Sequence, residues 1–506
     1  MSEFLRRAAI GMASLAVAGC AVGPDYAPPA IETPETWLLT DAALDGTAAD
    51  HAEWWTSFGD PTLNTLVQRA RSQNLSLRVA GLRILESRAV LGIAEGQRFP
   101  QQQQVAGQLT AIEVSENAPN AALADQSYTN AQLSLDITWE ADFWGRFRRG
   151  IEAAEAFLES DIANFADALV LLTAETAQTY VSIRLLEERL RLARANEASQ
   201  ERALEIATVL FNNGATTELD VTQARTILGS TRAAIPQLEA SLRQAKNALA
   251  VLLGEPPGAV DASLGGGTGI PSAPMAVTVG IPAELLRRRP DVRAAERQLA
   301  AQSAQIGVAA ADLYPRFGLT GSVGFQSSDA ESPVPGTTPE VSDIFDSGST
   351  NGFLGPFVSW NVLNYGRIRN NIRVEDARFQ QLLEGYRNTV LNALAESENA
   401  IAAFLAAREQ EGYLAYSAEA AVRSVELASI QYREGQTDFN RVVSALQSAI
   451  QQQDQLAQSQ GAIASNLVAL YRALGGGWQT YGNDFVPDDV EREMLDRTKY
   501  WRGVLE

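Results

Sequence analysis

Apolar residues in the middle of the chain recur at spacings of three and four. Leu158, Ile162, Phe165, Leu169 and Leu172 lead on to Ile183, Leu186, Leu190 and Ala193, a coiled-coil seam broken only by Thr176 and Thr179. No proline falls in the stretch, so the pattern predicts one helix over 145–211. At about 1.5 Å per residue that is a rod of roughly 100 Å, longer than a globular core needs. Asn212, Asn213 and Gly214 end it, and Thr216 or Thr217 starts a returning helix over 216–253, which Pro236 should bend.

Shorter patterns precede this helix. Asp60 and Pro61 open a helix with Leu63, Leu66, Val67 and Ala70 on one face. A second follows to Gly96, with Val79, Leu82, Ile84, Leu85 and Val90 expected inward, and Phe99-Pro100 stops it. The period then changes from 3.6 to 2. Strands are predicted over about 101–114 and 128–139, the second with Leu133, Leu135 and Ile137 on one face and Gln132, Ser134, Asp136 and Thr138 on the other.

The whole series then recurs. Pro315 follows Pro100 at an offset of about 215, and Trp360, Gly366, Gly435 and Gly475 follow Trp139, Gly145, Gly214 and Gly254 at about 221. A net insertion of about six residues thus falls in the second hairpin loop, where loops tolerate it. The second repeat predicts strands over 316–326 and 353–363, a long helix over 366–432 and a return helix over 438–474. The organisation is a signal peptide over 1–19, an extended segment over 20–60, a first repeat over 61–258, a linker over 259–281, a second repeat over 282–477 and a tail over 478–506 read as a surface strap.

Composition removes several functions. A net charge of −21 argues against a nucleic-acid partner, which requires a clustered basic surface. With one His and one Cys, no metal cluster, thiol nucleophile pair or disulfide can be assembled within one chain, and no motif supports an enzyme. Arg6-Arg7, the apolar run Ala8–Ala18 and then Val17-Ala18-Gly19-Cys20 read as a secretory signal cut before the cysteine.

Four strands of about ten residues are the length that crosses an outer membrane when tilted. Four strands cannot enclose a lumen, and open edges are not tolerated in lipid, so the chain must oligomerise. Three copies supply on the order of 12 strands, enough for a pore.

The ordered motifs resemble those of the outer membrane factor lipoproteins of tripartite resistance-nodulation-division efflux pumps. They comprise the lipobox Val17–Cys20, Gly23-Pro24-Asp25-Tyr26, Trp54-Trp55 with Phe58 and Asp60-Pro61, Leu285–Val292 with Ala295-Glu296, Ile306-Gly307, Tyr314-Pro315 with Leu319-Thr320, and Ala473-Leu474-Gly475-Gly476-Gly477-Trp478. The resemblance implies a mainly α fold with a β-barrel part: an internally duplicated, homotrimeric channel-tunnel, barrel in the outer membrane, coiled-coil α-barrel in the periplasm. It implies diacylglyceryl and N-acyl (palmitoyl) groups on Cys20, a periplasmic membrane-fusion adaptor, an inner-membrane proton-driven pump, and no bond chemistry.

The same resemblance places the adaptor contact and the closed gate at the helical turns, Gly214 and Gly435, where glycine also serves simply to permit positive φ. Tyr432 and Asp220 match a tyrosine-aspartate latch; the plain alternative is a core Tyr and a helix-start Asp. Related channels narrow the pore with aspartates where this chain has Arg441 and Ser444, so Asp438 and Arg441 are expected to supply polar or paired charge at the tip. Two alternatives stay open: the same tunnel serving secreted polypeptides of a type I system, and, as a different class, a structural lipoprotein that ties the envelope together through coiled coils, which the alternating strands oppose.

Overall fold

The computed structural model describes residues 21–39, 41, 44–45, 51–115, 117, 125–265, 269–274, 276–283, 288–330, 340–482 and 484–505. Cys20 and residues 285–287 of the Leu285–Val292 motif lie outside them. The elements are β1 (Leu44–Asp45), a 3-10 turn (Trp54–Phe58), α1 (Pro61–Gln73), α2 (Leu75–Gly96), β2 (Gln102–Glu113), β3 (Ser127–Glu140), α3 (Arg146–Asn212) and α4 (Glu218–Leu252). They continue with β4 (Val277–Thr278), α5 (Pro290–Ala311), β5 (Arg316–Ser328), β6 (Thr350–Ser359), α6 (Arg367–Arg433), α7 (Phe439–Ala473) and α8 (Asp488–Arg497).

The duplication holds element for element. α2 and α5 have 22 residues each, α3 and α6 have 67 each, and α4 and α7 have 35 each. The chain divides into two compact units, one of residues 1–29, 86–159 and 296–384, the other of 30–85, 160–295 and 385–506.

The first unit holds a four-stranded antiparallel sheet in the order β2-β3-β5-β6. The pairing of β3 with β5, Leu135 opposite Val323, joins strands from the two repeats. β6 stops at Ser359 rather than near 363, because Ser359 already pairs with Arg316, the first residue of β5, and beyond it there is no strand to bond to. The segment after residue 20 is held by close approach. A Cβ on Gly23 would collide with Gly307 Cα, Arg149 pairs with Asp25 at 2.6 Å and Glu152 at 2.7 Å, and the Tyr26 hydroxyl donates to Glu296 Oε1 at 2.6 Å.

In the second unit, Leu63, Leu66, Val67 and Ala70 of α1 are fully buried, as their helical spacing predicts. Asp60 caps that helix by accepting from Thr62 N at 2.8 Å and Leu63 N at 3.2 Å. Its other oxygen accepts from the Tyr180 hydroxyl at 2.5 Å, and Arg184, 1% exposed, donates to Tyr180, Glu187 and the Leu264 carbonyl. A buried guanidinium is tolerable only when its donors are satisfied in this way.

Three expectations are corrected. Val79 and Val90 are exposed: both sit on the arc of α2 opposite the buried Leu77 and Ile84, so this helix is apolar on two sides and only one is covered within the chain. The segment before residue 60 is not wholly extended, because Trp54 and Trp55 are buried on a 3-10 turn with Trp54 stacked on Tyr471 at 5.2 Å. The tail is more than a strap, since α8 buries Met494 beside Leu85 and Val486.

Candidate functional site

Strand register sorts the sheet's side chains into two faces. One carries Val105 and Leu109, then Leu133, Leu135 and Ile137, then Leu319, Val323 and Phe325, then Leu354 and Val358. The other carries Gln104, Gln108, Gln132, Ser134, Asp136, Thr138, Thr320, Ser322 and Gln326, interrupted by Phe353 and Phe357. Most of the apolar face is bare, with Val105 71% and Leu354 81% exposed, while Phe325 packs on Phe345 with ring centroids 5.8 Å apart. An uncovered apolar patch of that extent suits lipid rather than water. Among the described residues β2 and β6 each leave one edge unpaired, which a lipid setting requires other strands to close.

Matched aromatics mark one end of this sheet. Trp139 Nε1 donates to the Arg98 carbonyl at 3.1 Å and Trp360 Nε1 to the Leu313 carbonyl at 3.0 Å. Trp144 stacks on Tyr314 at 4.5 Å, and Tyr365 is almost wholly exposed. Such rings with a polar edge sit at membrane interfaces. Among the described residues no helix is long and apolar enough to cross a membrane.

The helical turns belong to the second unit. Gly214 at φ 72° and Gly435 at φ 69° supply the left-handed residue that closes each long helix. Ala215 N reaches back to the Leu210 carbonyl and Gln436 N to that of Gln431, both at 2.8 Å, so orphan carbonyls are satisfied by the same reversal in both repeats.

Around these turns Ala207, Val221, Ala224, Phe439, Val442 and Leu446 form a buried cluster. Tyr432 lies in it, 6% exposed, with its ring 5.0 Å from that of Phe439. Its hydroxyl donates to Asp220 Oδ2 at 2.9 Å across 212 residues of sequence. Burial, with the bond to the Asp220 carboxylate, pushes the phenol up to about 12, so it stays a donor at any physiological pH. Thr216 donates to the same carboxylate oxygen, a partner that the sequence does not announce. Asp438 and Arg441 do not form an ion pair: Asp438 is the N-cap of α7, and its carboxylate accepts from the Arg441 backbone N–H at 3.1 Å.

In the sequence Arg289 stands out only as part of a motif. In the fold it makes a bidentate pair with Asp291 at 3.0 and 2.7 Å and bonds Glu396 and the Ala473 carbonyl at 2.9 Å each. Beside it, Asp167 is pushed up to about 6, first by burial and then by the Asp291 charge, against the pull of Arg289 and Arg472. Its folded value lies above the unfolded one, so its contribution to stability is whole below about pH 4 and is lost as pH rises through 6. The loss is on the order of 2–3 kcal/mol. Asp167→Asn should therefore raise the melting temperature of the detergent-solubilised protein at pH 7.5 and much less at pH 4.5; equal shifts at the two pH values would disprove it.

An amphipathic four-stranded sheet with open edges, carried with paired long helices that end in glycine turns, defines one subunit of an outer-membrane channel. The chain belongs to the outer membrane efflux protein family, whose profile matches residues 66–255 and 281–476. It is 31% identical over 467 residues to Nodulation protein T of Rhizobium leguminosarum bv. trifolii, covering 92% of this chain and 96% of that protein. It is 31% identical over 491 residues to Outer membrane protein OprJ of Pseudomonas aeruginosa, covering 94% and 97%. Among solved structures, the outer-membrane channel OprN superposes with a TM-score of 0.83 at 33% identity, covering 91% of this chain and all of that one.

The fold is the trimeric channel-tunnel of that family, with four strands per chain given to the barrel. The protein is an outer-membrane component of an efflux system that reaches into the periplasm, and a conduit rather than an enzyme.

Proposed function

We propose that three copies close on the order of 12 strands into one barrel and conduct small molecules outward from a periplasmic membrane-fusion adaptor and a proton-driven inner-membrane pump. The observation that carries this reading is the mostly bare apolar face of a sheet with two open edges. The adaptor meets the helical turns at Gly214 and Gly435, and the Tyr432–Asp220 bond holds the periplasmic mouth closed until it does. Drug accumulation in a deletion strain tests the assignment, repeated with separate deletions of the adjacent adaptor and pump genes. All three deletions should raise accumulation alike. Loss of a secreted polypeptide with unchanged accumulation would place the protein in a type I secretion system instead.

Cys20 is the proposed site of diacylglyceryl and N-acyl attachment, supported by the Val17-Ala18-Gly19-Cys20 sequence and by its being the only cysteine. Two or more acyl chains give a stable anchor where one gives marginal binding. Labelled palmitate should enter the wild-type protein and be lost in Cys20→Ser; retention of label in that variant would refute the site.

A further inference from the structure

α7 is sparsely charged for a chain of net charge −21: Arg441, Asp454 and Arg472 are the only charges in its 35 residues. Asp454 is paired with Arg189 at 2.6 Å, and Arg472 lies in the field of Asp167. Arg441 is different. It is exposed, its guanidinium has no partner among the described residues, and the nearby Asp438 carboxylate is turned to the backbone.

At about 100° per residue, Arg441, Ser444, Ser448, Gln451 and Gln455 share one arc of α7, and all are exposed. Val442, Leu446 and Ala449 occupy the buried side. No large apolar side chain of α7 is exposed, whereas α3 exposes Phe157 and Leu171, α4 exposes Leu219 and Val251, and α6 exposes Leu391 and Tyr413. The bare apolar residues of those three helices need cover from neighbouring copies. The α7 arc does not, and it is suited to stay wet along its length.

Between low-dielectric walls a fixed charge dominates the potential of a narrow water column. Among these five residues the hydroxyls and amides are neutral, and Arg441 is the one charge on the arc. We infer that Arg441 faces the lumen at the helical tip and, repeated by each copy, forms a cationic collar that favours anionic over cationic cargo. This rests on the channel reading proposed above.

The test is the chloride-to-potassium permeability ratio of the full-length protein in planar bilayers under a salt gradient, in the wild type and in an Asp220→Ala background. The ratio should exceed one, fall severalfold in Arg441→Gln and drop below one in Arg441→Glu. Arg423→Gln, on the exposed side of α6 and paired with Glu426, should leave it unchanged. A ratio that ignores the charge at 441, or moves equally in the Arg423 control, overturns the collar. Absence of conductance in both backgrounds would instead overturn the channel reading.

Discussion

Replacing Asp220 with alanine is expected to raise single-channel conductance and admit bulky antibiotics from outside the cell. The Asp220 carboxylate accepts from both Tyr432 and Thr216, and Tyr432 is 6% exposed with its hydroxyl directed into that site. A hydrogen bond to a charged group contributes about 2 kcal/mol, and a buried hydroxyl left unpaired adds a cost of similar size. If the bond exists only in the closed state, losing about 2 kcal/mol shifts the closed-to-open balance roughly 30-fold for each copy. Tyr432→Phe keeps the Thr216 bond and the packing against Phe439, so its effect should be in the same direction and smaller. Because the phenol titrates only near pH 12, the difference between Tyr432→Phe and wild type should hold constant from about pH 6 to 9. Unchanged conductance and influx in both variants would remove the latch from the gate.

Residue pairs such as this one show where sequence reading succeeds and where it stops. The long helices are legible because each turn repeats the signal: a seam of threes and fours over sixty-odd positions cannot be mistaken for strand, and glycine at 214 and 435 marks where it ends. The faces of β3 and β5 follow from alternation, whereas β6, with Phe353-Leu354 and Phe357-Val358 side by side, is sorted only by its register against β5. Arg289 has no such local signal, because its partners Glu396 and Ala473 are 107 and 184 residues away. β1 and β4 are two residues each, too short for any period to register, yet Leu44 finds Val277 across the chain. Thr216 reads as a helix start, which fits its position; its second role depends on a carboxylate that only folding brings to it. The exposure of Val79 and Val90 belongs to the same class: a helix apolar on two sides gives no indication of which side its own chain will cover.

Placing arginine at 323 should prevent assembly of the barrel, while arginine at 322 should be tolerated. The two residues are neighbours on β5 and differ in the face they occupy. Val323 lies opposite Leu135 on β3 and Gly352 on β6, in the apolar row, whereas Ser322 lies opposite Asp136 and Phe353 on the other side. Toward lipid, an arginine near the bilayer midplane costs about 2–4 kcal/mol, and three copies multiply that cost in one cooperative barrel. Toward water, the same side chain keeps its hydration and has the Asp136 carboxylate opposite as an ion-pair partner. A stability of about 5–15 kcal/mol, ordinary for a folded domain, does not absorb the first change and scarcely registers the second. Outer-membrane fractions should therefore lose heat-modifiable oligomer in Val323→Arg and retain it in Ser322→Arg. Equal yields would mean that the apolar row does not face lipid, and with it the barrel would lose its strongest support, because a one-residue step along a strand moves the new arginine from one face of the sheet to the other.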